Sequence, residues 1–388
     1  MDIFDSGRVP PMRFGAGTFV DLPDLVVSSG SPVLLVADRA LGDLGIVDRA
    51  AGILAGDGID TVIAADVAGE PKEALVDDLA SRARADQCAA VIALGGGAAM
   101  DAAKLAAAIA LGDKPASHYA LSANPLPAKG LPAIAVPTTA GTGSEVTRTA
   151  IVSTADGEKL WHWGEEMMFS QVLLDPELTL SLPNHLTAWT GIDAVAHAVE
   201  AVTSRSANTI GRLYGLEALK ILAQALPDAV ADGADIEARG RMLWASTLAG
   251  LALHNCNTHM GHNISHALGS VAPVHHGLAT GLALEVAWPM LVARPEGAEG
   301  YAAASAALGG PHEASALPDV FSALMRRIGI DRALPDACAG ISPAALLAQM
   351  MVPHNHAMTE NAPCDLSEGD LENLADQMMG LPALEKAA

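Results

Sequence analysis

Up to about residue 180 the chain repeats one pattern: a short run that is apolar throughout, closed by Gly, Thr or an acid, and then a stretch long enough for a helix. The runs are PVLLVAD, TVIAADV, AAVIALG and LPAIAVP. A strand with no polar face must be covered on both sides, so these read as buried strands of an open, parallel, twisted sheet. From about Pro183 onward the pattern gives way to long Ala/Leu-rich segments such as TAWTGIDAVAHAVEAVTS and NTIGRLYGLEALKILAQAL. Their spacing is helical and β-branched clusters are few. A chain of 388 residues also exceeds what one core usually supports. The expected architecture is an α/β N-terminal nucleotide-binding domain over residues 1–181 and an all-α domain over 182–388.

Charge narrows the partners. With 22 Lys+Arg against 45 Asp+Glu the net charge is −23, which repels phosphodiester backbones and anionic membrane surfaces. No nucleic acid and no membrane partner is expected, and an anionic ligand must be held by local backbone amides or a few placed cations. Cys88, Cys256, Cys338 and Cys364 are scattered without a CxxC pair, which suits a reducing cytoplasm. The start, MDIFDSGRVPPMRF, carries acids and prolines where an export signal needs a basic start and an apolar core.

Two loops at strand ends have the chemistry of a dinucleotide site. In AAVIALGGGAAMDAAKLAA, Gly95, Gly96 and Gly97 lie between an apolar strand and a helix containing Asp101 and Lys104. Bare backbone amides at a helix N-terminus approach a pyrophosphate closely, and the helix dipole favours its charge. A tight turn would use the same glycines. In AVPTTAGTGSE, Thr138, Thr139, Thr142 and Ser144 supply hydroxyls around Gly141 and Gly143. Asp38, just past VLLV, is placed to accept hydrogen bonds from an adenosine ribose and to repel a 2′-phosphate, which argues for NAD. In an ordinary Rossmann fingerprint the glycines precede this acid by about 20 residues. Here the acid comes first, so a variant topology is expected.

The helical half carries the sharper constellation. Asp193 and His197 in TGIDAVAHAVEA are four residues apart and share one helix face. His262 and His266 in GHNISHALGS repeat the spacing, and His276 follows in VHHGLATG. Asp193, His197, His262 and His276 together offer one carboxylate and three imidazoles, a set suited to Fe²⁺ or Zn²⁺ with a position left for substrate. Any one of them alone would more often be a hydrogen-bonded structural histidine. His254, His259, His275 and Glu200 stay outside the set; Glu200 is either an outer support or a surface acid.

In this order and spacing, GGGAAMDAAK, PTTAGTGSE, DPELTLSLP, GIDAVAHAVEA and GHNISHALGSVAPVHHG resemble the iron-containing (group III) alcohol dehydrogenases. The resemblance runs from Asp38 to Gly277. It implies a dehydroquinate synthase-like fold, with an α/β nucleotide domain, a helical metal domain and a cleft between. It makes Asp193, His197, His262 and His276 the metal ligands and His266 a catalytic residue near the nicotinamide, able to relay a proton. It puts Gly96, Gly97, Asp101, Thr138, Thr139 and Thr142 at NAD-contacting positions, Asp38 at the adenosine ribose and Lys159 beside the nicotinamide ribose. The cofactors it implies are NAD and a divalent metal, Fe²⁺ before Zn²⁺, in a homodimer or larger homo-oligomer.

The expected reaction is hydride transfer between a small primary alcohol and NAD, or the reverse reduction of an aldehyde, with the metal polarising the substrate oxygen. The competing enzyme readings are a dehydroquinate synthase-like lyase and a maleylacetate reductase-like enzyme. A lyase must hold a phosphorylated sugar acid with several Lys and Arg, in which the helical half is poor. A non-catalytic NAD-binding protein is expected to have lost metal ligands, and all four are present. For substrate, Arg148, Thr149 and Trp161 (with Trp163 beside them) and Leu253 and His254 are read as lining a pocket for an alcohol with an acidic or polar tail. A surface ion pair is the plainer account of Arg148.

Overall fold

The computed structural model describes residues 3–384. It contains two compact units. One comprises Arg8–Thr139 and Gly143–Ser181; the other comprises the N-terminal residues up to Gly7, Ala140–Thr142 and the chain from Leu182 onward.

The first unit is built on a six-stranded sheet of β1 (Met12–Phe14), β2 (Val33–Asp38), β3 (Thr61–Val67), β4 (Ala90–Gly95), β5 (Ala133–Pro137) and β8 (Gln171–Leu174). Its order is β1-β8-β5-β4-β2-β3 and every pairing is parallel. The four apolar runs are its four interior-to-edge strands β2, β3, β4 and β5; the residues of β4 and β5 are buried throughout. That burial is why those strands carry no alternation. The helix Gly97–Ile109 packs beside β4, and its alanines let it approach on nearly every side.

The sheet order explains how residues distant in sequence meet. Register places Ala37 against Leu94 and Gly95 against Pro137, so β2, β4 and β5 end at one level. Asp38, the glycine run and Thr138 therefore leave adjacent strands at the carboxyl edge, where open α/β sheets bind ligands.

The same unit holds an antiparallel hairpin, β6 (Thr149–Ser153) with β7 (Lys159–Trp163). Its signals were present in TAIVSTADGEKLWHW: alternating side chains and an Asp-Gly turn. Lys104, fully buried, anchors it. Its Nζ donates to the carbonyl oxygens of Ser144 (2.7 Å), Thr147 (3.2 Å) and Thr149 (2.8 Å), and Phe169 lies beneath.

The second unit is helical from Asn184 onward. Its main helices are Asn184–Thr203, Thr209–Ala231, Ile236–Cys256, Met260–Val271 and His276–Val292. Asn208 caps the second of these through Gly211 N (3.0 Å), and Asp235 caps the third through Glu237 N and Ala238 N (3.0 Å each). Among the described residues no helix is long and apolar enough to cross a membrane. All four cysteines are free and buried.

Candidate metal centre and nucleotide loop

Three helices bring their ligands together in the helical unit. Asp193 projects from Asn184–Thr203, His262 from Met260–Val271, and His276 is the first residue of His276–Val292. One donor atom from each lies within 4.8 Å of the others. Asp193 Oδ1 stands 3.8 Å from His262 Nε2 and 3.6 Å from His276 Nε2. Donors held about 2.1 Å from one tetrahedral cation are about 3.4 Å apart, so the spacing suits a divalent metal. Gly277 makes the third approach possible: a Cβ there would stand 2.0 Å from the carbonyl oxygen of Trp189 and 3.1 Å from Asp193 Cβ.

The donor chemistry fits the cation as well. Asp193 Oδ1 and His262 Nε2 are buried without a hydrogen-bond partner, which is costly unless something positive or donating meets them. Burial, reinforced by the charge of Glu200, lifts the Asp193 carboxyl to about 7 despite the pull of His262. His262 Nδ1 lies 2.5 Å from Glu200 Oε2. An ionised carboxylate only accepts, so Nδ1 carries a proton, and in the neutral ring Nε2 keeps its lone pair for a metal. His197 has the same arrangement, Nδ1 facing the carbonyl oxygen of Gly141 at 3.3 Å. Burial, then the neighbouring His262, holds His197 down to about 3, which keeps its imidazole neutral.

His197 stands beside the three convergent donors and is not one of them. Its ring stacks on that of His262 with 4.6 Å between centroids. His266, one turn beyond His262, has its ring 5.4 Å from that of His276 and is half-buried. Glu200 is the residue that sequence reasoning left undecided: it is fully buried and turned inward. Its spacing from His197 was legible, its direction was not.

In the sheet unit, Asp38 and the glycine run meet. Asp38 Oδ2 accepts a hydrogen bond from Gly96 N at 2.6 Å, and burial raises the carboxyl's pKa against that bond. Asp38 precedes the short helix Arg39–Asp43 but makes no side-chain cap bond to it. Gly95 has φ +151°, and a Cβ there would stand 2.4 Å from Asp38 Oδ2, so this position requires glycine. Gly96 caps the helix Gly97–Ile109, and a Cβ there would stand 3.3 Å from Thr139 Cγ2. The Gly96 amide is spent on Asp38, which leaves the first-turn amides from Gly97 on as anion donors. Thr138 is buried, and its amide donates to the Gly95 carbonyl at 2.9 Å.

Several expected contacts are occupied by protein. Asp101 accepts from Ser144 Oγ (2.5 Å) and Ile151 N (2.8 Å), so both its oxygens shape the loop and hairpin. Lys159 is buried in an ion pair with Glu70. Arg148 pairs with Glu165 and stacks over the Trp163 ring at 4.1 Å. Thr149, Trp161 and Trp163 share one face of the hairpin by register. Thr142 is grouped with the helical unit. His254 is buried under the N-terminal segment: a Cβ on Gly7 would stand 1.9 Å from its Nε2, and Gly7 N donates to Asn255 Oδ1 at 3.1 Å. Leu253, beside it, is half-buried.

Comparison with known proteins agrees with both halves of this description. Residues 10–176 match the family described as iron-containing alcohol dehydrogenase, and residues 187–379 match the C-terminal part of the Fe-containing alcohol dehydrogenase family. The chain is 34% identical over 282 residues to choline dehydrogenase of Bacillus subtilis, covering 71% of this chain and 70% of the relative. It is 36% identical over 274 residues to 1,3-propanediol dehydrogenase of Klebsiella pneumoniae, covering 69% and 70%. Among solved structures, sulfoacetaldehyde reductase from Bifidobacterium kashiwanohense in complex with NAD+ superposes with a TM-score of 0.88 at 29% identity, covering 98% of this chain and all of that one. The chain belongs to the iron-containing alcohol dehydrogenase family. It is an NAD-linked, metal-dependent alcohol oxidoreductase, and NAD and a divalent metal are its cofactors.

Proposed function

We propose that the chain interconverts a small primary alcohol carrying a polar, uncharged tail and its aldehyde. Asp193, His262 and His276 hold the cation, and His197, whose ring stacks on that of His262 beside them, is the fourth ligand of this reading. The observation that carries this reading is the convergence of Asp193, His262 and His276, with buried donor atoms of the first two left unpartnered by protein. When bound, the metal supplies Lewis acidity toward the substrate oxygen and NAD supplies or takes the hydride.

The chain's own residues do the rest. Gly97 and the first-turn amides receive the pyrophosphate, Asp38 faces the adenosine ribose, and Thr138 and Thr139 line the same strand ends. Thr142 and Lys159 are weaker nucleotide contacts, and Asp101 serves by holding the loop that presents them. His266, beside His276, passes the alcohol proton toward solvent. Arg148 is already neutralised by Glu165, which favours a polar tail over an acidic one. The covering of His254 by Gly7 weighs against His254 and Leu253 as direct substrate contacts.

The test is metal analysis together with a panel of alcohols and aldehydes followed by NADH absorbance, with and without chelator. Metal-dependent net NADH formation supports the reading; turnover without net NADH would indicate a lyase. Comparing a hydroxy acid and a plain alcohol of matched length, before and after Arg148→Ala, decides the tail. The free cysteines support a cytoplasmic location. A homodimer or larger homo-oligomer is in keeping with the family likeness and is checked by sedimentation.

A further inference from the structure

Glu200 belongs to no ligand set, yet four polar groups of the ligand-bearing segment 259–262 face it. It lies on the helix Asn184–Thr203, seven residues beyond Asp193 and three beyond His197, and is fully buried. Oε2 accepts from His262 Nδ1 (2.5 Å) and His259 N (3.1 Å); Oε1 accepts from Gly261 N (2.6 Å). His259 Nδ1 lies 3.3 Å from Oε1. The His259 ring is pinned at its other nitrogen by Thr203 Oγ1 at 2.9 Å.

Two consequences follow. The helix Met260–Val271 has no side-chain cap of its own at His259, and its start sits where amides lack partners. Glu200 supplies the missing acceptor from another helix, tying the start of the His262 helix to the helix that carries Asp193 and His197. The same carboxylate keeps a proton on His262 Nδ1, so that in the neutral ring Nε2, unpartnered and 3.8 Å from Asp193 Oδ1, keeps its lone pair. A ligand imidazole backed by a carboxylate is oriented and made more basic.

We infer that Glu200 is the positioning residue of the metal centre, acting through the tautomer and orientation of His262. The inference rests on the proposed ligand set. Glu200→Gln separates positioning from simple packing: the amide keeps the shape and can still accept from Gly261 N through its oxygen. Where the oxygen faces Gly261 N, the NH2 group faces His262 Nδ1 and cannot accept from it. His262 is driven to carry its proton on Nε2, the ligand atom.

The experiment uses chelated full-length protein reloaded with Co²⁺ as the probe. Expected are a Co²⁺ affinity lower by about 10- to 100-fold in Glu200→Gln and an altered visible Co²⁺ spectrum, with activity recovered at saturating metal. Nitrogen-15 NMR of the metal-free wild type should show His262 protonated on Nδ1, and Glu200→Gln should show it on Nε2. The wild-type tautomer decides the matter even if the variant fails to fold: a neutral imidazole protonated on Nε2 instead of Nδ1 overturns the inference. Equal Co²⁺ affinity in wild type and Glu200→Gln overturns it too while leaving the ligand set intact. If Asp193→Asn and His262→Ala bind Co²⁺ as the wild type does, the ligand set itself is wrong.

Discussion

Replacing Asp193 by Asn should make the metal-free protein more stable while destroying its metal site. In the metal-free fold the Asp193 carboxyl is raised from 3.8 to about 7, chiefly by burial. Because the folded-state value is the higher one, the fold binds this proton more tightly than the unfolded chain does. That contribution is intact below about pH 4 and is lost as pH climbs through about 7. About three units at about 1.4 kcal/mol each set the cost of the ionised carboxylate at about 4 kcal/mol above neutrality. Asn carries no charge, but its buried NH2 would sit 3.6 Å from His276 Nε2 and 3.8 Å from His262 Nε2, too far for a full hydrogen bond, so the net gain at pH 8 is roughly 2–3 kcal/mol. With about 2–4 °C per kcal/mol for a unit of this size, the midpoint should rise by about 5–10 °C. The gap should shrink by about 3 kcal/mol on going from pH 8 to pH 5, where the wild-type carboxyl is protonated in the fold. With saturating metal the order reverses, because only the wild type gains binding energy. Thermal melts of chelated and reloaded protein at both pH values check this. An Asn variant that is less stable than wild type by the same amount at both, or one that keeps full metal stoichiometry, refutes the reasoning.

Metal affinity should fall about tenfold per pH unit below about 7, since the Asp193 proton must leave before the cation enters; competition with a chromophoric chelator measures it, and a flat profile between pH 8 and 6 contradicts it. Gly277→Ala, whose Cβ would stand 2.0 Å from Trp189 O, should displace His276 and lose most bound metal, as read by metal analysis after dialysis. Gly95→Ala meets both φ +151° and Asp38 Oδ2 at 2.4 Å, so KM for NAD should rise about tenfold or more with kcat changed less. An unchanged KM would take the nucleotide away from this loop.

Much of this was legible in the residues alone. The all-apolar runs of β2, β4 and β5 announced strands covered on both faces, whereas β3, at the sheet edge, is only partly buried; the shift to Ala/Leu helices marked the second half, because periodicity reports which faces meet water. The Asp193/His197 and His262/His266 pairs were readable because a helix puts positions four apart on one face. What local spacing does not carry is the partner across space. Asp38 and Gly96 lie 58 residues apart in sequence and meet only because β2 and β4 are neighbours in the sheet. The hairpin was missed although its alternation and Asp-Gly turn were there, since its short strands sit among loop residues. The employment of Asp101 by Ser144 and Ile151, of Lys159 by Glu70 and of Arg148 by Glu165 likewise belongs to tertiary packing. Glu200 shows the division most plainly: helical spacing set it near His197, but whether it faced water or the ligands depended on which helix packed against it.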